Sequence, residues 1–235
     1  MVRAKLVLWD IDHTLINAGG VGAEMFTQAL EQVMGRPSRM LANMAGRTDT
    51  VILADTLELH GLTPSAELFD RFAAALAANY TPHQRDRLRT HGHVLPGAAE
   101  ALAALAARPD VVQSTLTGNV KPVAIIKLAT FGLDQWIDFD AGAYGSEASA
   151  RADLVPLARG RAAARYGTSF AGTATILIGD TPADIEAALA NGAAIIAVAT
   201  GGSSPADLKA AGAEIVLPDL ERTTELLAAI SQLPT

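Results

Sequence analysis

The sequence contains no cysteine, which excludes disulfide bonds, thiolate nucleophiles and cysteine-ligated zinc. Any catalytic chemistry therefore uses oxygen and nitrogen groups. An excess of basic residues is missing as well, since 25 acidic against 18 basic residues give a formal net charge of -7. That balance argues against a protein that binds the phosphate backbone of nucleic acid, although it is compatible with a small basic pocket. We expect no nucleic-acid partner.

Long apolar runs are also absent. No run approaches the roughly 20 residues that span a bilayer, and residues 1–5 lead into a short strand-like run without a small-residue cleavage site. We therefore expect no membrane partner and a cytoplasmic location. The chain has 235 residues, of which 50% are hydrophobic, so it is long enough to bury a large core. Either a monomer or a homodimer is compatible with these data.

Short apolar runs alternate with longer alanine-rich stretches of helical period, a pattern typical of strands covered on both faces by helices. The strand candidates are residues 5–9, 111–116, 137–139, 174–178, 194–198 and 214–217. Most of these runs end at a polar residue, among them Asp10, Thr117, Asp140 and Asp180. In an open parallel sheet the ligand crevice lies beyond the carboxyl ends of the strands, so we expect these polar residues to converge there.

The stretch between the first two strand candidates differs from the rest. Residues 22–89 show helical periodicity and no convincing strand, with breaks at residues 35–37, 60–64 and 81–82. The sequence therefore predicts an α/β fold, a Rossmann-like doubly wound parallel sheet. Residues 1–16 and 95–235 form its core, and residues 17–94 are a helical insertion.

Two pairs of acidic residues follow two of these strands. Asp10 and Asp12 lie at the first strand end, and Asp180 and Asp184 lie at a later one. Carboxylates grouped in this way suit Mg²⁺, which takes few protein ligands and completes its shell with water and phosphate. Each pair also has a structural interpretation, because Asp caps helices and is favoured in the first helical turn. That interpretation does not explain why two pairs occur at two strand ends.

A hydroxyl group ends another of the strand candidates. Thr117 precedes Gly118 and Asn119, and a strand end of this kind presents its side chain and backbone N–H groups to an anion. An ordinary turn is an equally good interpretation of these three residues taken alone.

Together these segments resemble the haloacid dehalogenase-like hydrolase superfamily. The similarity is to its phosphatase branch with a helical cap, of the phosphoglycolate phosphatase type. The matching segments are Asp10-Ile11-Asp12-His13-Thr14, Thr117-Gly118-Asn119 and Gly179-Asp180-Thr181-Pro182-Ala183-Asp184. The resemblance covers the whole chain, with the helical insertion as the cap. It implies a Mg²⁺-dependent phosphatase that hydrolyses a small phosphorylated metabolite through an aspartyl-phosphate.

The resemblance also implies a role for each matching residue. Asp10 corresponds to the nucleophile and Asp12 to the general acid and base. Thr117, with Gly118 and Asn119, corresponds to the group that binds the phosphoryl oxygens. The implied Mg²⁺ ligands are Asp10, Asp12 through its backbone carbonyl, Asp180 and Asp184.

The sequence departs from the family pattern at the basic residue. The family usually has a lysine at the start of the helix before the last acidic strand, whereas the matching stretch here offers Arg151. The planar guanidinium of an arginine also holds phosphate, so Arg151 is acceptable there. Lys127 is the alternative cation, unless it is a surface lysine that lies along apolar neighbours. In the insertion, Arg47 either meets a substrate carboxylate or faces solvent.

Two other functions remain open. One is a 2-haloacid dehalogenase of the same fold. Asp12 argues against it, because a halide leaves without a proton and family dehalogenases generally lack this second Asp. The other is a non-catalytic module that binds Mg²⁺ and phosphate, as receiver domains do. Receiver domains are shorter than this chain and have no helical insertion after the first strand.

Overall fold

The computed structural model describes residues 5–233. Its strands are β1 (Lys5–Trp9), β2 (Ile16–Asn17), β3 (His93–Val94), β4 (Val111–Thr117), β5 (Ala143–Tyr144), β6 (Thr175–Gly179), β7 (Ala194–Val198) and β8 (Ile215–Leu217). Its α-helices are α1 (Val21–Met34), α2 (Asp49–Leu59), α3 (Ala66–Asn79), α4 (Pro82–His91), α5 (Ala98–Ala106), α6 (Lys121–Thr130), α7 (Leu154–Tyr166), α8 (Pro182–Ala190), α9 (Pro205–Ala210) and α10 (Thr223–Gln232). Residues 1–4 and 234–235 lie outside the described residues. The two predicted core segments, and the N-terminal stretch 1–5 discussed above, are therefore described without them.

The main sheet has the strand order β5-β4-β1-β6-β7-β8, and all of its strand pairs are parallel. The order reverses at β1, which pairs with β4 on one side and with β6 on the other. Trp9 lies opposite both Thr115 and Ile178, so the carboxyl ends of the three strands are level. The α/β doubly wound prediction is confirmed, and the switch point where such folds bind ligands lies just beyond Trp9.

Helices cover both faces of this sheet. One buried apolar cluster joins β1, β6 and β7 to α5, α6 and α10, and the other joins the opposite face to α7, α8 and α9. Strands buried on two faces need continuous apolar sequences, which is why β1, β6 and β7 consist almost wholly of apolar residues. Two of the buried polar side chains satisfy each other: the Trp9 indole donates to Gln113, which in turn donates to the Leu102 carbonyl.

One predicted strand is wrong. Residues 137–139 follow a short 3-10 helix and form no strand, and the edge strand is β5, a few residues further on. The Asp138 amide donates to the Gln113 carbonyl at 2.9 Å, but the chain then turns at Phe139 and Asp140, so no ladder forms. The other five strand predictions agree with the structure to within one residue at each end.

Four helices form a separate layer between β2 and β3. Helices α1, α2, α3 and α4 share a third apolar cluster, in which Phe26 and Phe72 meet edge to face with their ring centroids 4.7 Å apart. β2 and β3 pair antiparallel, so the segment that leads from the sheet layer into these helices lies next to the segment that leads back. We propose this layer, residues 17–94, as a cap domain and call it the cap. No helix within residues 5–233 is long and apolar enough for a membrane span.

A glycine at the return from the cap offers a test of the packing. Gly97 caps α5 with a φ of 74°, and a Cβ there would lie 2.0 Å from the Leu220 carbonyl carbon. Gly132 has nearly the same φ of 70° but has open space around it. The left-handed conformation alone costs about 1–2 kcal/mol for other residues, and contact with rigid backbone adds to this cost.

We expect Gly97→Ala to lower the free energy of unfolding in urea more than Gly132→Ala does. Gly132→Ala should lose only the conformational cost of about 1–2 kcal/mol. Gly97→Ala should lose on the order of 3 kcal/mol or more, because the Leu220 backbone cannot move without disturbing the core. Equal losses in the two variants would contradict the close approach of residues 97 and 220.

Candidate active site

A cavity of about 840 Å³ lies between the carboxyl ends of the central strands and the cap. Its sheet side carries Asp10, Asp12 and Asp180, with Thr117 between them, and its other side is formed by α1, α2 and α3 of the cap. The polar residues that follow β1, β4 and β6 converge here, as expected from the strand ends. Asp140 is exposed and does not line the cavity, because the run before it is not a strand.

Asp10 and Arg151 form a buried ion pair at the floor of the cavity. The Asp10 amide donates to the Ile178 carbonyl, which extends the pairing of β1 with β6 by one residue. Arg151 Nη2 lies 2.8 Å from Asp10 Oδ1 and 2.7 Å from Asp184 Oδ1, and it also donates to the Leu116 carbonyl. Burial raises the pKa of Asp10 to about 6, although the charge of Arg151 acts in the opposite direction.

Asp180 and Asp184 follow β6 and are both buried. Asp184 Oδ2 accepts hydrogen bonds from the backbone and hydroxyl of Thr181, so it caps α8 while its other oxygen contacts Arg151. Asp184 therefore caps α8 and also lies beside Asp10 and Asp180 in the candidate site. Asp180 accepts from the Thr14 hydroxyl at 3.1 Å. Burial, with the neighbouring Asp10 and Asp184, raises the pKa of Asp180 to about 8.

These carboxylates fit a divalent metal ion. One oxygen from each of Asp10, Asp180 and Asp184 lies within 4.8 Å of the others. With all three carboxylates ionised, Arg151 compensates one negative charge, and a bound divalent cation would compensate the other two. Buried carboxylates without a counter-charge are costly, and an oxygen-only ligand set suits Mg²⁺. The side chain of Asp12 is not part of this cluster.

Asp12 instead faces a second buried cation. Lys127 Nζ lies 2.8 and 2.6 Å from the two carboxylate oxygens of Asp12 and 2.7 Å from Asn119 Oδ1. Asn119 Nδ2 donates to Asp12 Oδ2 at 2.8 Å. Burial favours the neutral acid, but the charge and hydrogen bonds of Lys127 and the Asn119 bond outweigh it and lower the pKa of Asp12. Lys127 is 4% exposed, so it is not a surface lysine.

The Thr117-Gly118-Asn119 segment forms a compact turn at the end of β4. The buried hydroxyl of Thr117 accepts from the side chain and the backbone N–H of Asn119. A Cβ on Gly118 would lie 2.2 Å from the Arg47 carbonyl oxygen, so only glycine allows the cap to approach this closely. The Asp49 amide donates to the Gly118 carbonyl, and Asp49 Oδ2 accepts from the Val120 amide.

Arg47 lines the cavity, and its side chain is 28% exposed. It thus lies between the two predicted positions, in contact with a substrate carboxylate or facing solvent. Its guanidinium forms an ion pair with Asp55 and donates to the Asn43 carbonyl. Sequence reasoning missed Asp49 and Tyr80, which also line the cavity from the cap. Asp49 is the last residue of the Gly46-Arg47-Thr48-Asp49 segment, and an acid there is equally typical of a first helical turn.

Comparisons with known proteins identify the family of the chain. The pattern of the haloacid dehalogenase-like hydrolase family matches residues 7–189. The chain is 28% identical to a curated phosphoglycolate phosphatase of Cupriavidus necator over 227 residues, which covers 94% of this chain and 92% of that protein.

Solved structures have the same fold. A hydrolase from Pseudomonas syringae has a TM-score of 0.68 at 23% identity, and a predicted phosphoglycolate phosphatase from Haemophilus somnus has a TM-score of 0.61 at 18% identity. In both comparisons the match covers 97% of this chain and 99% of the other. The chain belongs to the haloacid dehalogenase-like hydrolases and is a phosphatase of that superfamily.

Proposed function

We propose that this protein is a Mg²⁺-dependent phosphatase that hydrolyses a monoester of a small phosphorylated metabolite through an aspartyl-phosphate on Asp10. The observation that carries this proposal is the buried cluster of Asp10, Asp180 and Asp184 with Arg151, which faces the cavity between sheet and cap next to Thr117. The similarity to a phosphoglycolate phosphatase supports a small phosphorylated substrate. The absence of a membrane-spanning helix within residues 5–233 is compatible with action in the cytoplasm.

Asp10 is the proposed nucleophile. Arg151 contacts its Oδ1, which orients the carboxylate and leaves Oδ2 for attack on phosphorus. The new bond joins Asp10 to phosphorus while the bond from phosphorus to the alcohol oxygen breaks. Thr117, Gly118 and Asn119 are the proposed contacts of the phosphoryl oxygens, together with Arg151. When bound, Mg²⁺ supplies positive charge that screens the anionic nucleophile from the phosphate.

Asp12 is the proposed general acid and base. In the free protein Lys127 and Asn119 hold it as a carboxylate. A phosphate dianion next to it favours its protonated form, because a like charge raises the pKa of a carboxyl group. Asp12 then protonates the departing alkoxide, and the resulting carboxylate accepts a proton from the water that hydrolyses the aspartyl-phosphate. Arg47 is a proposed contact to the far end of the substrate.

The first test removes the nucleophile. Wild-type protein should release phosphate from p-nitrophenyl phosphate in the presence of Mg²⁺ and stop when EDTA is added. Asp10→Asn should reduce this rate by at least about 10²-fold, because an amide does not attack phosphorus. The control is Asp153→Asn, an exposed residue outside the cavity, which should retain the wild-type rate. Halide release from 2-haloacids without phosphate release would favour the dehalogenase instead.

A second test measures the metal site through stability. The pKa of Asp180 is raised to about 8, so between about pH 4 and pH 8 the metal-free folded protein keeps a proton that the unfolded chain has released. The stability of the metal-free protein should therefore fall as the pH rises through this window. In EDTA we expect Tm to be several degrees lower at pH 9 than at pH 6, since 1 kcal/mol shifts Tm by roughly 2–4 °C at this size.

Mg²⁺ should restore most of the lost Tm at pH 9, because it compensates the buried charge. Asp180→Asn keeps an oxygen acceptor for Thr14 but carries no charge, so its metal-free Tm should depend less on pH and respond less to Mg²⁺. A wild-type Tm that changes with neither pH nor Mg²⁺ would contradict the proposed metal site.

A third test separates the two buried cations. Arg151→Ala should lower kcat/KM for glycerol phosphate and p-nitrophenyl phosphate by similar factors, because Arg151 contacts the nucleophile. Arg151→Lys should recover part of the activity, since it restores the charge without the guanidinium fork. Lys127→Met should slow glycerol phosphate by about tenfold or more relative to p-nitrophenyl phosphate.

The reason for that difference is that Lys127 orients Asp12, and only the alkoxide leaving group depends strongly on a proton from Asp12. The measurement is the ratio of the two specificity constants in each variant. If the ratio of the two constants changed in Arg151→Ala and not in Lys127→Met, Arg151 would be the residue that orients Asp12, which contradicts the proposed roles.

A further inference from the structure

The basic side chains that line the cavity are already paired. Arg151 contacts Asp10 and Asp184, and Lys127 contacts both oxygens of Asp12. Arg47 forms an ion pair with Asp55. Within residues 5–233, no Lys or Arg side chain on the cavity wall is without a carboxylate partner. A substrate carboxylate at the far end of the cavity would therefore have to compete with a protein carboxylate for its counter-charge.

A further acidic group lies on the cap side of the same cavity. Asp49 begins α2, is 8% exposed and lines the cavity. Its Oδ2 accepts from the Val120 amide at 3.0 Å, and its Oδ1 has no hydrogen-bond partner among residues 5–233. Burial raises the pKa of Asp49 to about 6, against the opposing charge of Lys127. The ionised carboxylate repels a substrate carboxylate and accepts from a hydroxyl or ammonium group.

The neighbouring wall combines a hydroxyl group with apolar surface. Tyr80 is 2% exposed and lines the cavity, and its hydroxyl is unpaired in the described part of the chain. Burial raises the pKa of Tyr80 to about 12, so the hydroxyl stays protonated and both donates and accepts. The apolar side chains on this side are Phe26, Ile52, Leu76 and Val123. Carbon atoms of a substrate fit such surfaces.

The size of the cavity matches a substrate larger than a two-carbon acid. Its volume of about 840 Å³ lies in the upper part of the range for small-molecule sites, which is roughly 300–1,000 Å³. A multi-carbon alcohol fills more of this space than a two-carbon acid does.

We propose that the cap side of the cavity selects phosphate esters of hydroxylated or amino alcohols that carry no carboxylate, with Asp49 as the acceptor for a hydroxyl or ammonium group of the substrate. This proposal rests on the proposed phosphatase function and narrows its substrate class. It separates this chain from the activity that its curated relative is named for, because phosphoglycolate carries a carboxylate.

The test uses two six-carbon substrates that differ at one terminal carbon. Glucitol 6-phosphate ends in a hydroxymethyl group, and 6-phosphogluconate ends in a carboxylate. Wild-type protein should have a kcat/KM about tenfold or more higher for glucitol 6-phosphate, since the Lys and Arg side chains on the cavity wall are paired and Asp49 adds a negative charge that repels a carboxylate. Asp49→Asn keeps the acceptor for the Val120 amide but removes the charge, so it should reduce this preference at least about fivefold.

The control is Asp70→Asn, which removes a negative charge from an exposed position on α3 outside the cavity and should leave the preference unchanged. A wild-type preference for 6-phosphogluconate, or an Asp49→Asn preference equal to that of wild type, overturns this proposal. The wild-type comparison alone decides the question if Asp49→Asn does not fold. Absence of turnover on p-nitrophenyl phosphate overturns the proposed function itself, so the two failures are distinct.

Discussion

The contact of one arginine with two buried carboxylates is the interaction on which the candidate site depends. Arg151 lies between Asp10 and Asp184, and it therefore joins the end of β1, the 3-10 helix before α7 and the first turn of α8. Removing one member of such a group is strongly destabilising, because it leaves an uncompensated buried charge. The same contact sets the charge of the site, since one guanidinium compensates only one of three carboxylates when all are ionised. The proposal of a divalent cation rests on the two charges that remain.

A second buried cation gives Asp12 an environment different from that of Asp10, although only one residue lies between the two acids. Asp10 faces Arg151 in a fully buried site, and Asp12 faces Lys127 and Asn119. Burial raises the pKa of Asp10, whereas the Lys127 and Asn119 contacts lower the pKa of Asp12. Two carboxyl groups with opposite shifts are the pattern expected of a pair with different roles. The strand has ended before the two acids diverge, and the chain turns directly after Asp12, where His13 adopts a φ of 62°.

Local sequence was sufficient to predict much of this arrangement. An apolar run followed by Asp10, Thr117 or Asp180 carries both the strand and its polar end in adjacent residues, so both were predicted. The run at 137–139 is apolar for another reason: Ile137 is buried against the helices without joining the sheet. Lys127 and Asp49 depend on contacts with residues that are far apart in the chain. Lys127 meets Asp12 across 115 positions, and Asp49 meets Val120 across 71. No local pattern distinguishes them from a surface lysine or a helix-capping acid.

The cap is hydrogen-bonded to the segment that carries the proposed phosphate contacts. Asp49 donates to Gly118 through its amide and accepts from Val120 through its carboxylate, while the Arg47 carbonyl packs on Gly118. These two hydrogen bonds form only when the cap lies against the end of β4. The Thr50 hydroxyl also donates to the Gly145 carbonyl, so the start of α2 is bonded to the ends of both β4 and β5. Asp49 takes part in this contact and lines the cavity as well. A substrate group bound at Asp49, as proposed above, would therefore lie directly against the contact between cap and sheet, which is the position from which a correct substrate favours closure over a catalytic site.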